Sequence, residues 1–147
     1  MKTVDRRLAV LVVDDDPGDV LLIQEALESV GHTRAPHVAV DGDEAMSFLR
    51  RTDVHASAPR PDVVLLDLNM PGKNGRQVLA EIKTDPHLQT IPVLIFTTSQ
   101  DPRDIMSSYS MHANAYITKP INFDDFSGVV ARIDEFFTQI AALPPQS

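Results

Sequence analysis

Apolar positions in this chain fall into short unbroken runs separated by longer stretches of helical spacing. Leu8–Val13 (LAVLVV) is the first such run. Wholly apolar, β-rich runs of this length read as strands buried on both faces, the habit of parallel sheets. Asp16 and Pro17 then supply an N-cap and a first helical residue. Val20, Ile23, Leu27 and Val30 follow at helical spacing, and Gly31 is a natural stop. Val38–Val40 reads as a weaker strand, Asp41-Gly42 as a turn, and Ala45, Phe48 and Leu49 as the apolar face of a second helix.

The alternation continues. Residues 52–61, with two prolines and no period, read as a loop. Val63–Leu66 is a third strand ending at Asp67, and Met70-Pro71-Gly72 with Asn74-Gly75 forms a turn cluster. Val78, Leu79 and Ile82 mark a third helix that closes near Asp85-Pro86. Pro92–Phe96 is a fourth strand, followed by Thr97-Thr98-Ser99, and Asp101-Pro102 opens a fourth helix carrying Ile105 and Met106. Tyr116–Ile117 is a short fifth strand ending at Lys119-Pro120, and a fifth helix runs from Phe123 to about Ala142. Five β/α units with buried strands imply an α/β fold, a five-stranded parallel sheet covered by helices on both sides. Right-handed crossovers favour a doubly wound arrangement. The expected division is an N-terminal extension over 1–7, one domain over 8–142 and a tail over 143–147.

A length of 147 residues suits one domain with no separate output module. Thirteen basic against 21 acidic residues give a net charge of −8, which repels a phosphate backbone and argues against unaided nucleic-acid binding. Cysteine is absent, so disulfides, thiolate metal sites and cysteine nucleophiles are excluded. The first apolar run is too short for a signal peptide or membrane span, and a soluble cytoplasmic protein is expected. The five histidines have no metal-ligand spacing.

In an open α/β sheet, ligands bind at the carboxyl ends of the strands. Those ends deliver Asp14-Asp15-Asp16, Asp67, Thr97-Thr98-Ser99 and Lys119. With strand order 2-1-3-4-5, Asp14, Asp15, Asp67, Thr97 and Lys119 converge at one rim. Two carboxylates about 4 Å apart repel by roughly 4 kcal/mol at an effective dielectric of about 20. A cation relieves that cost, and an all-oxygen donor set favours Mg²⁺ over Zn²⁺. A hard ion, a lysine and a neutral donor suit a phosphoryl group in transfer. Asp67, alone at the end of the middle strand, is the candidate acceptor.

Four motifs, Val12–Pro17, Leu65–Gly72, Pro92–Thr98 and Tyr116–Pro120, resemble the receiver domain of two-component response regulators, over about residues 8 to 140. The resemblance implies a flavodoxin-like receiver fold and a set of roles. Asp67 would take a phosphoryl group from a histidine kinase's phosphohistidine and lose it slowly. Asp15, Asp67 and the backbone carbonyl of Asn69 would ligate Mg²⁺, or Mn²⁺ in its place, with Asp14 acting through water. Thr97 would hydrogen-bond a phosphoryl oxygen, Lys119 would pair with Asp67 and then its phosphate, and small Thr98 would leave access to it. Tyr116 would be the aromatic switch moving with Thr97, and the Lys119-Pro120 bond would be cis.

Asp15–Ile23, Val78–Pro86, Ile91-Pro92, Tyr116–Pro120 and Glu135-Phe136-Phe137 further resemble the stand-alone response regulators partnered with cyanobacterial and bacterial phytochromes. That implies a phytochrome histidine kinase as partner. It also implies a homodimer through the fourth-helix, fifth-strand and fifth-helix face, helped by the C-terminal tail. Phe136, Phe137 and Ile140 are interface candidates, because the last helix carries more apolar residues than one stripe needs.

Competing readings make different demands. An aspartate-nucleophile phosphatase needs a second acid two residues after its nucleophile, where Asn69 stands. A flavodoxin-like cofactor binder needs a Gly- or Ser/Thr-rich loop after the first strand, where three aspartates stand. A degenerate receiver acting as a scaffold would not need the intact acidic set, Thr97 and Lys119.

Overall fold

The structure, a computed structural model, describes residues 7–145; apart from Arg7, the expected N-terminal extension lies outside them. Five β/α units follow one another: β1 (Val10–Val13), α1 (Pro17–Val30), β2 (His37–Ala39), α2 (Gly42–Arg50), β3 (Val63–Leu66), α3 (Gly75–Thr84), β4 (Val93–Thr97), α4 (Pro102–Ser110), β5 (Ala115–Thr118) and α5 (Phe123–Glu135). The strands form one parallel sheet in the order β2-β1-β3-β4-β5, as expected for a doubly wound, flavodoxin-like receiver fold.

The side-chain period of two divides each strand between two cores. Leu11, Val13, Val64, Leu66, Val93 and Ile95 face α2 and α3, meeting Met46, Phe48, Val78, Leu79 and Ile82. Val10, Val12, Val63, Leu65, Leu94 and Phe96 face α1 and α5, meeting Ile23, Leu27, Phe126 and Val130. Burial on both faces is why these strands carry no polar alternation.

Local chemistry sets the helix ends. Asp16 caps α1 by accepting from the backbone N–H groups of Gly18 and Asp19. Gly31 closes the helix at φ 81°, a conformation open to glycine. Asn74 and Gly75, expected as part of a turn, instead open α3. Asn74 is the N-cap of a capping box with Gln77, and Gly75 is the first helical residue.

Several boundaries differ from expectation. Leu8 pairs only with Thr33 in an isolated bridge, and Ala9 is tied to Asp62 through its N–H and its carbonyl, so β1 begins at Val10. β2 is shifted one residue back, because His37 pairs with Leu11 while Val40 lies past the ladder. β5 is longer than expected, because its register with Leu94–Thr97 extends from Ala115 to Thr118. The loop 52–61 contains a 3₁₀ turn, Asp53–His55. The last helix is not continuous to Ala142: after Glu135 it widens into a π-helical turn, Phe136–Ile140, closed by the Ala141 N–H on the Phe136 carbonyl. The Lys119-Pro120 bond is trans, against the expected cis form, and no cis peptide occurs among the described residues. The trans isomer is intrinsically preferred by about 0.5–1 kcal/mol, and here it carries the chain from β5 to the Asn122 cap of α5. No described helix is long and apolar enough to cross a membrane.

Candidate functional site

The carboxyl ends of β1, β3 and β4 and the residue just past β5 converge as the strand order requires. The buried Lys119 ammonium donates to three carboxylates: Asp14 Oδ2 at 2.7 Å, Asp19 Oδ2 at 2.8 Å and Asp67 Oδ2 at 2.9 Å. Its backbone N–H donates to the Thr97 carbonyl at 2.7 Å, which fixes where the side chain leaves the sheet. The other Asp67 oxygen, Oδ1, accepts from the Thr97 hydroxyl at 2.9 Å and from the Asn69 backbone N–H at 3.0 Å. Asp14 Oδ1 accepts from the Asp16 backbone N–H at 2.9 Å. Thr97 is fully buried, Asp14, Asp67 and Lys119 nearly so, and Asp15 and Thr98 are exposed.

Gly75 sits against the backbone of Asp67 and Leu68. A Cβ there would stand 2.1 Å from the Asp67 carbonyl oxygen, so only glycine lets α3 start this close to β3.

Negative charge outweighs positive charge at this rim. Burial alone would lower the Lys119 ammonium, yet its hydrogen bonds to Asp14, Asp19 and Asp67 hold its pKa above the ordinary lysine value. Burial pushes the Asp14 carboxyl up, and the Lys119 hydrogen bond offsets only part of that. Three carboxylates, those of Asp14, Asp19 and Asp67, share the Lys119 ammonium, and that of Asp15 lies beside two of them. Asp14, Asp15 and Asp67 each place one carboxylate oxygen within 4.8 Å of the others'. An all-oxygen set of that span fits a hard divalent cation such as Mg²⁺ or Mn²⁺.

Sequence reasoning named Asp14, Asp15, Asp67, Thr97 and Lys119, and the structure brings them together. It did not name Asp19, the third partner of Lys119. The available signal was an acid in the first turn of a helix that begins at the strand ends. Asn69 is exposed, and its side chain comes within 3.5 Å of the Thr97 hydroxyl. Tyr116 is half-buried and donates its hydroxyl to the Ser99 carbonyl at 2.9 Å, and burial raises its phenol above the usual value. A second cluster went unread in the sequence. Asp104 on α4 accepts from Ser99 and from Arg76 on α3, each at 2.6 Å; these bonds hold its carboxyl below the usual range. Of the interface candidates, Phe136 and Ile140 are exposed, whereas Phe137 packs against the α1/α5 core and meets Phe136 edge to face at 5.1 Å.

Comparison with known proteins agrees with this geometry. Residues 10–131 match the response regulator receiver domain family. The response regulator Rcp1 of Synechocystis sp. is 41% identical over 135 residues, covering 92% of each chain. The solved structure of the phosphorylated cyanobacterial phytochrome response regulator RcpA superposes with a TM-score of 0.91 at 45% identity, over 95% of this chain and 99% of that one. The Mn²⁺-bound form of Rcp1 superposes with a TM-score of 0.89 at 40% identity, over 94% and 99%. A matched receiver sequence, a superposable sheet and an acid–lysine rim at its carboxyl edge place this chain in the response regulator receiver domain family.

Proposed function

We propose that this receiver accepts a phosphoryl group on Asp67 from the phosphohistidine of a phytochrome histidine kinase, and signals through protein contacts in the cytoplasm. The observation that carries the reading is the Asp67 carboxylate. One of its oxygens is held by the Thr97 hydroxyl and the other by the Lys119 ammonium, at 2.9 Å each. An Asp67 oxygen forms the new P–O bond as the donor's P–N bond breaks, the electron pair leaving with the imidazole nitrogen. The equatorial oxygens then carry the charge. Lys119 meets that charge, Thr97 turns its hydroxyl to a phosphoryl oxygen, and exposed Thr98 leaves the approach clear.

Asp15 and Asp67, with the Asn69 backbone carbonyl and Asp14 through water, would hold Mg²⁺ or Mn²⁺. The bound ion would neutralise the crowded carboxylates and the transferring group. The Mn²⁺-bound form of the related Rcp1 supports this. Loss of phosphate is slow self-hydrolysis; Asn69 stands where a phosphatase of this chemistry needs an acid. Tyr116, bonded to Ser99 in the loop after Thr97, couples that loop to the α4–β5–α5 face, biasing an existing two-state equilibrium. We further propose that this face forms a homodimer with help from the C-terminal tail, since Met106, Phe136 and Ile140 leave apolar surface outside the core.

Incubation with acetyl phosphate and Mg²⁺ should add one hydroxylamine-labile phosphoryl group to the parent and none to Asp67→Asn. Undiminished labelling of that variant removes Asp67 from its role. Transfer from a purified phytochrome kinase should depend on light; transfer that ignores light removes that partner.

A further inference from the structure

Lys119 has three N–H donors and no acceptor. All three are used, on Asp14, Asp19 and Asp67 at 2.7, 2.8 and 2.9 Å. The ammonium ends a flexible four-carbon stem, so its position over the site is set by its acceptors rather than by the stem. Two of those acceptors change during the proposed reaction. Asp67 becomes an acyl phosphate, whose remaining oxygen is a weaker acceptor than a carboxylate. Asp14 belongs to the acidic cluster that fits a divalent cation and would meet the ion through water, so its lone pairs would be shared with that water.

Asp19 alone among the three neither reacts nor belongs to that cluster. It is anchored independently. It lies in the first turn of α1, where a negative charge is favoured by the helix end. Its backbone N–H is held by the Asp16 cap at 3.2 Å. Its side chain is about a quarter exposed, at the mouth of the site rather than in the core.

We infer that Asp19 is a positioning residue: its carboxylate holds the Lys119 ammonium over Asp67 while the other two acceptors are altered by the cation and the incoming phosphoryl group. The inference rests on the reading of Asp67 as the phosphoacceptor. On transfer, Lys119 moves one N–H from the Asp67 oxygen to a phosphoryl oxygen and keeps its bond to Asp19. The side chain acts as an acceptor, so an amide carbonyl can substitute for it.

The test measures initial rates of labelling by acetyl phosphate across Mg²⁺ concentrations for the parent, Asp19→Ala, Asp19→Asn and Asp67→Asn. Asp19→Ala should lower the rate at saturating Mg²⁺ by about tenfold, less than the roughly hundredfold cost of a full 1 Å misplacement, because Asp14 still holds the ammonium. The Mg²⁺ concentration for half the maximal rate should stay unchanged, and Asp19→Asn should recover most of the rate. A parental rate in Asp19→Ala overturns the inference. So does a weakened Mg²⁺ response with an unchanged maximal rate, which would put Asp19 in the cation cluster. An Asp19→Asn variant as slow as Asp19→Ala also overturns it, and being nearly isosteric it gives an answer even if the alanine variant folds poorly. Label retained by Asp67→Asn overturns instead the acceptor assignment beneath it.

Discussion

Lys119 shows how a buried cation is held in place. Its side chain is only 3% exposed, yet its pKa is raised, because carboxylates on α1, on the loop after β1 and on β3's end outweigh the burial. A lysine with a raised folded-state pKa stabilises fully below its unfolded-state value of about 10.4 and stops doing so as pH climbs through the folded value. Removing it leaves Asp14 and Asp67 buried without their cation. Lys119→Met should therefore lose on the order of 3 kcal/mol in metal-free urea unfolding at pH 7. The gap from the parent should hold steady up to about pH 10 and shrink above it; a gap that grows with alkalinity would contradict the assigned pairing. The five residues first named from the sequence were legible because each ends, or closely follows, a continuous apolar run. Asp19 was not, because an acid in a first helical turn is fully accounted for by the helix end.

Elements were legible where one force dominated. β3, α1 and α3 carry unmixed signals: an apolar run, a cap with proline, a helical stripe. Boundaries set by long-range partners were not. Leu8 is as apolar as Val10, but Leu8 bridges to Thr33 and Ala9 is tied to Asp62, both distant in sequence, and these partners hold residues 8 and 9 out of the ladder. The π-helical turn after Glu135 likewise leaves no mark in an apolar pattern that fits an ordinary helix. Asn74-Gly75 reads as a turn by composition, yet the Gln77 side chain returns to the Asn74 N–H and makes it a helix start. Asn74→Ala removes one half of that capping box and should cost about 1 kcal/mol in urea unfolding. No measurable loss would mean that packing of Val78, Leu79 and Ile82 alone sets where α3 begins.

At the scale of the molecule, two cores on opposite faces of one sheet hold the strand ends rigidly, and the acidic rim is built on that rigidity. The chain order of β/α units made the topology legible, since right-handed crossovers leave few arrangements. What lies outside the cores was harder to read. The last helix and its π turn offer more apolar residues than the α1/α5 core absorbs; contact with distant chain put Phe137 in and left Phe136 and Ile140 out. If that surface joins two copies, light scattering should give twice the chain mass for the parent in at least one of two conditions, with or without beryllofluoride, and a single mass in both for Phe136→Glu/Ile140→Glu. A parent that stays monomeric in both conditions removes the interface.

The rim's purpose is tested most directly by finding where a phosphoryl group lands. The chain is labelled with acetyl phosphate and Mg²⁺, the acyl phosphate is trapped by reduction, and the peptides are mapped. One modified residue, Asp67, is expected, although Asp14, Asp15 and Asp19 lie beside it. Modification of any of those three while Asp67 stays untouched would contradict it.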